Sequence, residues 1–288
     1  MSPVSRDQRN YSPASLLALW HLLSLDAPTV ASLWIWFIAS ANHLRLSFLS
    51  VIAMFLAVWM LYAADRLLDA RLIGTPESSE LEARHYFHSR HRRAFLIAIL
   101  VTSAALALLL PHLEAEAIHL YLVLGVLLFG YFILIHVTRS AHRLPKEIAV
   151  GLFFAAATFI PTVARRPGLR IELLPLAILF AALCSLNCLF IYDWEHSTLS
   201  HSDHPAHAAT RIALRHLRII AVALILLSSS VAVFDHQAPW PISVAIVVAA
   251  ILLLLLHEAR HRMARLTLRS LADLALISPL LVTPWLRR

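Results

Sequence analysis

Charge is scarce in this chain. Only 14% of its 288 residues are Asp, Glu, Lys or Arg, and just eight are aspartate. Apolar residues make up 60% and mean hydropathy is +0.74. No soluble domain of this length needs so much apolar surface, so a water-soluble enzyme is excluded and a membrane protein is expected. Cysteine is nearly absent as well. Cys184 and Cys188 stand one helical turn apart in an apolar segment, where they read as small core residues; a disulfide framework or zinc site needs more partners. The opening stretch, Met1 to Tyr11, lacks the positive-then-apolar pattern of a signal peptide, so the first helices are expected to direct insertion.

What is there is a succession of apolar runs. Nine spans are expected, near residues 27–42, 46–64, 94–111, 116–136, 147–164, 173–192, 213–234, 240–257 and 270–286. Residues 13–24 form an apolar stripe that fits an interfacial helix, and Pro28 suits a first helical turn. With nine crossings, the N-terminus shares a side with the connections after spans two, four, six and eight. That side carries 18 of the 24 Lys and Arg residues, so the positive-inside rule places the N-terminus in the cytoplasm and the C-terminus outside. The longest connections, within 65–93 and 193–212, fall on that same side and are expected to hold the working surface.

The few acids then become informative by position. Asp65 and Asp69 end the second apolar run in Ala64-Asp-Arg-Leu-Leu-Asp69. Four residues apart on a helix, both carboxylates lean to one side, close enough to share a divalent cation; a solvated helix end is the alternative. Asp193 and Glu195 close the sixth run at matching depth. Two such pairs facing each other across a cavity suit Mg²⁺ ions bound to a diphosphate. Because Asp193 and Glu195 are two apart, about 200° around a helix, either the helix unwinds after Tyr192 or only Asp193 faces inward. Arg66, Arg139, Arg143 and Lys146 could hold the diphosphate charge that metal leaves over; plain topology signalling explains most of the other cations. Ser79-Glu80-Leu81-Glu82 reads as a capping box opening a short helix that closes on Arg90-His91-Arg92-Arg93, either a lid or an amphipathic connector. His196, His201, His204 and His207 read as an exposed polar loop.

These residues resemble the UbiA superfamily of intramembrane prenyltransferases. Ala64-Asp65-Arg66-x-x-Asp69 is similar to the family's first aspartate motif, and Tyr192-Asp193-Trp194-Glu195 to its second. Leu25-Asp26-Ala-Pro28 and Leu144-Pro-Lys-Glu-Ile-Ala-Val-Gly151 are similar to its lead-ins to helices one and five. Leu61 stands where the family has an Asn, Ser197 where the second motif has another Asp, and five glycines are few for closely packed helices. Phosphatidyl-alcohol transferases, which also pair membrane helices with aspartates, need Asp-x-x-Asp-Gly-x-x-Ala-Arg, and this spacing fails it.

The resemblance implies a single all-α membrane domain over 1–288. Its 1–26 segment would lie at the interface, and about nine helices would surround a cavity open to the cytoplasmic side of the cell membrane. It implies a prenyltransferase, a transferase of alkyl groups other than methyl, acting in isoprenoid biosynthesis. An isoprenyl group would pass from an isoprenyl diphosphate to a hydrophobic or aromatic acceptor. Mg²⁺ would sit on Asp65, Asp69, Asp193 and Glu195, with Asp65, Asp69 and Asp193 catalytic and Tyr62, Asn187 and Tyr192 lining the cavity. The lipid bilayer is an expected partner and nucleic acid is not. A terpene cyclase acting on the diphosphate alone, or a non-catalytic protein that keeps the fold, are the alternatives.

Overall fold

A computed structural model of the chain describes residues 16–69, 83–137, 145–196 and 207–284. These residues form helices and connections, with no strand among them. In order the helices are α1 (Leu16–Leu22), α2 (Asp26–Ala41), α3 (Phe48–Asp69), α4 (Ala83–Arg90), α5 (Arg92–Leu109), α6 (Ala115–Val137) and α7 (Lys146–Arg165). They continue with α8 (Leu169–Glu172), α9 (Leu174–His196), α10 (Ala208–Arg215), α11 (Leu217–Phe234), α12 (Trp240–Ala259), α13 (Arg265–Ala275) and α14 (Pro279–Val282).

Among the described residues, six helices are long and apolar enough to cross a membrane: α3, α5, α7, α9, α11 and α12. The protein is therefore a multi-pass, all-helical membrane protein. Its outer surface explains the composition. Leu100, Leu108, Val126, Phe129 and Phe234 are each more than two-thirds bare. Such a coat would drive aggregation in water and is at home against lipid. α2, which stands for expected span one, has 16 residues, about 24 Å at 1.5 Å per residue, and α6 adds a shorter apolar stretch over Ala115–Tyr131.

The expected ninth span is not one helix. α13 stops at Ala275, the chain turns through Leu276–Ser278, and α14 restarts at Pro279. Proline has no N–H to continue the ladder and favours a first helical turn. The freed carbonyl of Leu276 accepts a 2.8 Å hydrogen bond from the buried indole of Trp34, which satisfies a helix end that would otherwise be orphaned inside the protein. Neither α13 nor α14 is long enough to cross a bilayer alone.

The core lies where α2, α7, α9 and α12 meet. Trp34 and Phe180 pack ring against ring at 4.1 Å. α7 and α9 approach closely at Gly151, where a Cβ would collide with Ser185 Oγ and come within 2.7 Å of the Ala181 carbonyl oxygen. One glycine thus does locally what many do in closely packed membrane helices. Burial thins outward: 56% of the apolar window of α9 is buried against 6% for α5.

Polar residues gather at the two ends of the bundle. At one end Glu114 pairs with Arg165 at 2.7 Å and Glu116 with Arg170 at 2.6 Å, while Arg165 also donates to the Arg45 carbonyl. At the other end lie Asp65–Arg66, Glu195–Arg269, Arg218–Glu258 and the Thr210–Glu147 hydrogen bond. The helix expected between residues 79 and 93 is present as α4, although its capping box lies outside the described residues. The segment 193–212, read as a loop, begins with the last turn of α9 and ends inside α10, whose first turn is capped by His207 Nδ1 accepting from the Ala209 N–H.

Candidate functional site

Helical register decides which polar residues meet. On α3, Tyr62 lines a small cavity of about 40 Å³. Positions 65, 66 and 69 follow it at i+3, i+4 and i+7, so they continue the same face toward the helix end. The Asp65 side chain is 42% exposed and lies 3.6 Å from the Arg66 guanidinium, itself only 14% exposed. The face is thus half-buried at Tyr62 and Arg66 and most open to water at Asp65.

α9 carries the opposite wall. Cys184, Asn187 and Cys188 line the cavity, and Glu195 lies seven residues beyond Cys188, within about 20° of the same direction. The helix runs unbroken through His196. Of the two expected geometries, the unwound one is therefore absent, and the other is reversed. Glu195 stands above the cavity wall and forms an ion pair with Arg269 of α13. Asp193 turns away to α12, where its carboxylate lies 3.9 Å from His257 Nδ1, a nitrogen that accepts the Trp194 indole N–H at 3.1 Å. Two residues along a continuing helix point nearly opposite ways, so one must leave the cavity; packing of Trp194 against α12 selects Asp193.

The remaining walls are Ala27 and Val30 of α2, Val150 and Phe154 of α7, and Asp273 and Leu276 of the α13 region. Of the expected cavity residues, Tyr62 and Asn187 line it and Tyr192 does not. Lys146 is exposed at the first residue of α7, at the same end of the bundle. Arg139 and Arg143 lie outside the described residues, as does the side chain of Asp69.

A second polar cluster joins residues far apart in the chain. His21 Nδ1 lies 2.8 Å from Asp26 Oδ2 and 4.0 Å from Asp273 Oδ2. Asp26 opens α2, where its other oxygen accepts the Ala27 N–H at 3.0 Å, a favourable site for a carboxylate at a positive helix end. Asp273 Oδ1 accepts from Asn187 Nδ2 at 3.2 Å. His21 and Asp26 are buried and Asp273 keeps 17% exposure, so Asp273 is the member that reaches the cavity. Among the described residues, His21, Asp26 and Asp273 are the one group of three whose metal-ligating atoms lie within 4.8 Å of one another. Asp26 and Asp273 are separated by most of the chain, so no local motif joins them; the available signals are Asp26 in its Leu-Asp-Ala-Pro lead-in and Asp273 as an acid alone inside an apolar run.

No family model, curated protein or solved structure matches the chain.

Proposed function

We propose that the protein transfers an isoprenyl group from an isoprenyl diphosphate to an acceptor within the membrane, using Mg²⁺. The observation that carries this reading is the continuous face of α3. It runs from Tyr62 in the cavity wall to Asp65, Arg66 and position 69 at the wet helix end. An amphiphile with an anionic head and an apolar tail matches such a gradient from charge to oil.

The donor set suits a hard cation. Asp65 offers half-exposed carboxylate oxygen, and Asp69 and Glu195 supply further oxygens by type; Mg²⁺ favours such ligands and keeps much of its water. Bound there, Mg²⁺ would neutralise charge that builds on a departing diphosphate. The protein's own residues do the rest. Arg66 and Lys146 hold phosphate oxygens, Arg66 with its planar fork and Lys146 as an exposed point charge. The carbon–oxygen bond of the donor breaks heterolytically and its electron pair leaves on the diphosphate. The acceptor's nucleophile then bonds to the allylic carbon, and the proton it loses departs with the diphosphate. Phe154, Val30 and Tyr62 wall the cavity and keep water from the cation, with aromatic faces able to stabilise it.

A cavity of about 40 Å³ accommodates little more than a water molecule or an ion. An isoprenyl tail therefore requires either that α3 and α13 part, or that the tail lie in the apolar groove formed by Leu23, Leu25, Phe55, Leu56, Trp59 and Thr102. That groove offers about 290 Å³ beside the same helix. The tightness of the closed cavity also favours a second reading, a non-catalytic membrane protein built on the same helices. Incubating purified protein with Mg²⁺ and geranyl, farnesyl or geranylgeranyl diphosphate decides between them. Diphosphate release only with an aromatic acceptor supports transfer, and release with a new hydrocarbon from the donor alone supports cyclisation. No release with any donor and acceptor rejects catalysis.

A further inference from the structure

We infer that His21, Asp26 and Asp273 form a binding site for one divalent first-row transition-metal ion, separate from the Asp65 helix end. Three observations converge on it. The first is donor geometry. With metal–ligand bonds of about 2.1 Å, neighbouring ligands on a tetrahedron stand about 3.4 Å apart. His21 Nδ1 is hydrogen-bonded to Asp26 at 2.8 Å and stands 4.0 Å from Asp273; the two separations bracket that value, so an ion would replace the shared proton with sub-ångström shifts.

The second is an unmet acceptor. Asn187 is only 5% exposed, and its side-chain oxygen Oδ1 has no hydrogen-bond partner while its Nδ2 donates to Asp273. A buried amide oxygen without a donor costs roughly 1–3 kcal/mol. The hydrogen bond from Nδ2 keeps this amide beside Asp273, so its oxygen is a candidate fourth ligand once an ion is seated. The third is space. The cavity of about 40 Å³ is bordered by Asp273 and Asn187 though not by His21 or Asp26, so it supplies room for a water beside the cluster and a way in for an ion through Asp273.

The chemistry of the set narrows the ion. One imidazole nitrogen with carboxylate and amide oxygens suits Zn²⁺, Mn²⁺ or Fe²⁺ better than Mg²⁺, which takes oxygen almost alone. Hydrogen bonds from neighbouring groups already orient the ligands. The Ala27 N–H holds Asp26, and Asn187 Nδ2 holds Asp273, as outer partners do in established metal sites. Two carboxylates brought together in a buried place repel each other, and a dication removes that cost. Seated there, the ion would tie three separate helices, α1, α2 and α13, at the cavity wall.

The test uses the full chain, purified in detergent, stripped with chelator and titrated with Zn²⁺ in excess Mg²⁺ so that any oxygen-only site is filled. The expected result is one Zn²⁺ per chain. His21→Gln should weaken binding by about a hundredfold or more, and Asn187→Leu, which removes a neutral oxygen and the donor that orients Asp273, by about tenfold. Glu258→Gln, at an exposed ion pair elsewhere, should bind as the parent does. If His21→Gln does not purify as a monodisperse species, Co²⁺ substitution of the parent gives the ligand readout, since imidazole ligation changes its visible spectrum. Absence of a stoichiometric Zn²⁺ in the parent, or a Co²⁺ spectrum without nitrogen ligation, would overturn the site. So would undiminished binding in His21→Gln. Because Zn²⁺ binding is read without substrate, its failure leaves the transfer reading standing, and the converse also holds.

Discussion

The two acidic regions of this protein are built on opposite plans. Asp65 and position 69 end one helix four residues apart, and Asp65 is half in solvent. His21, Asp26 and Asp273 come from three helices, and two of them are almost wholly buried. A half-exposed carboxylate at a helix end can be altered with little harm to folding, because water solvates whatever is left. A buried cluster cannot, because removing one member strands the others without solvent. The expectation is that the first region governs turnover and the second governs whether the bundle holds together.

The largest effect should come from the wet region. Asp65→Asn combined with Asp69→Asn should lower turnover by about a thousandfold or more, the several kcal/mol that a lost metal clamp represents, with thermal stability close to the parent's. Retained turnover would remove the helix end from the site. Asp26→Ala should do the reverse. Stranding buried His21 should cost about 3–5 kcal/mol of stability, read as a lowered unfolding midpoint in detergent; an unshifted midpoint would mean that the cluster does not hold α1 and α2 together.

Gly151→Ala probes the seam on which the cavity wall rests. The added Cβ would strike Ser185 and the Ala181 carbonyl, so a destabilisation of about 1–3 kcal/mol is expected. Gly125 on α6 has nothing within 4 Å of such a Cβ, so Gly125→Ala should be neutral or mildly stabilising; equal behaviour of the two variants would deny the close α7–α9 approach. The smallest contrast is within α9. Glu195→Gln should lower turnover by about tenfold, the scale of a single charge-assisted hydrogen bond, while Asp193→Asn, facing α12, should change it by about twofold at most. The opposite order would return Asp193 to the cavity.

The same comparison explains what the sequence could reveal. That positions 65 and 69 share a helix face is legible because helical spacing is local: residues four apart lie together wherever the helix is placed. Six of the nine expected spans are legible for a similar reason, since long apolar runs need no tertiary context. The exceptions have physical causes. The stretch 270–286 is apolar enough to resemble a span, yet Pro279 and the capture of the Leu276 carbonyl by Trp34 divide it. The facing of Asp193 and Glu195 turns on whether α9 continues past Tyr192, which depends on Trp194 packing against His257 of the distant helix α12. The buried cluster depends wholly on the folding of α1 and α13 onto α2; Asp26 in its lead-in motif and the isolation of Asp273 in an apolar run hint at its members separately, not at their meeting.

Orientation is open to a simple check. In a variant without native cysteines, Glu114→Cys should react with a membrane-impermeant thiol reagent in intact cells and Arg215→Cys should not, these residues being exposed at opposite ends of the bundle. The reverse pattern would place the Asp65 end outside the cytoplasm.

The most direct measurement is a structure determined with Mg²⁺ and an unreactive isoprenyl diphosphate analogue. The expected result is a diphosphate against Arg66 and Lys146, metal on the Asp65 and Asp69 carboxylates, and a tail running from Tyr62 into the cavity or the groove beside α3. An analogue bound elsewhere on the bundle, or a diphosphate held with no carboxylate of α3 in its metal shell, would contradict the assignment.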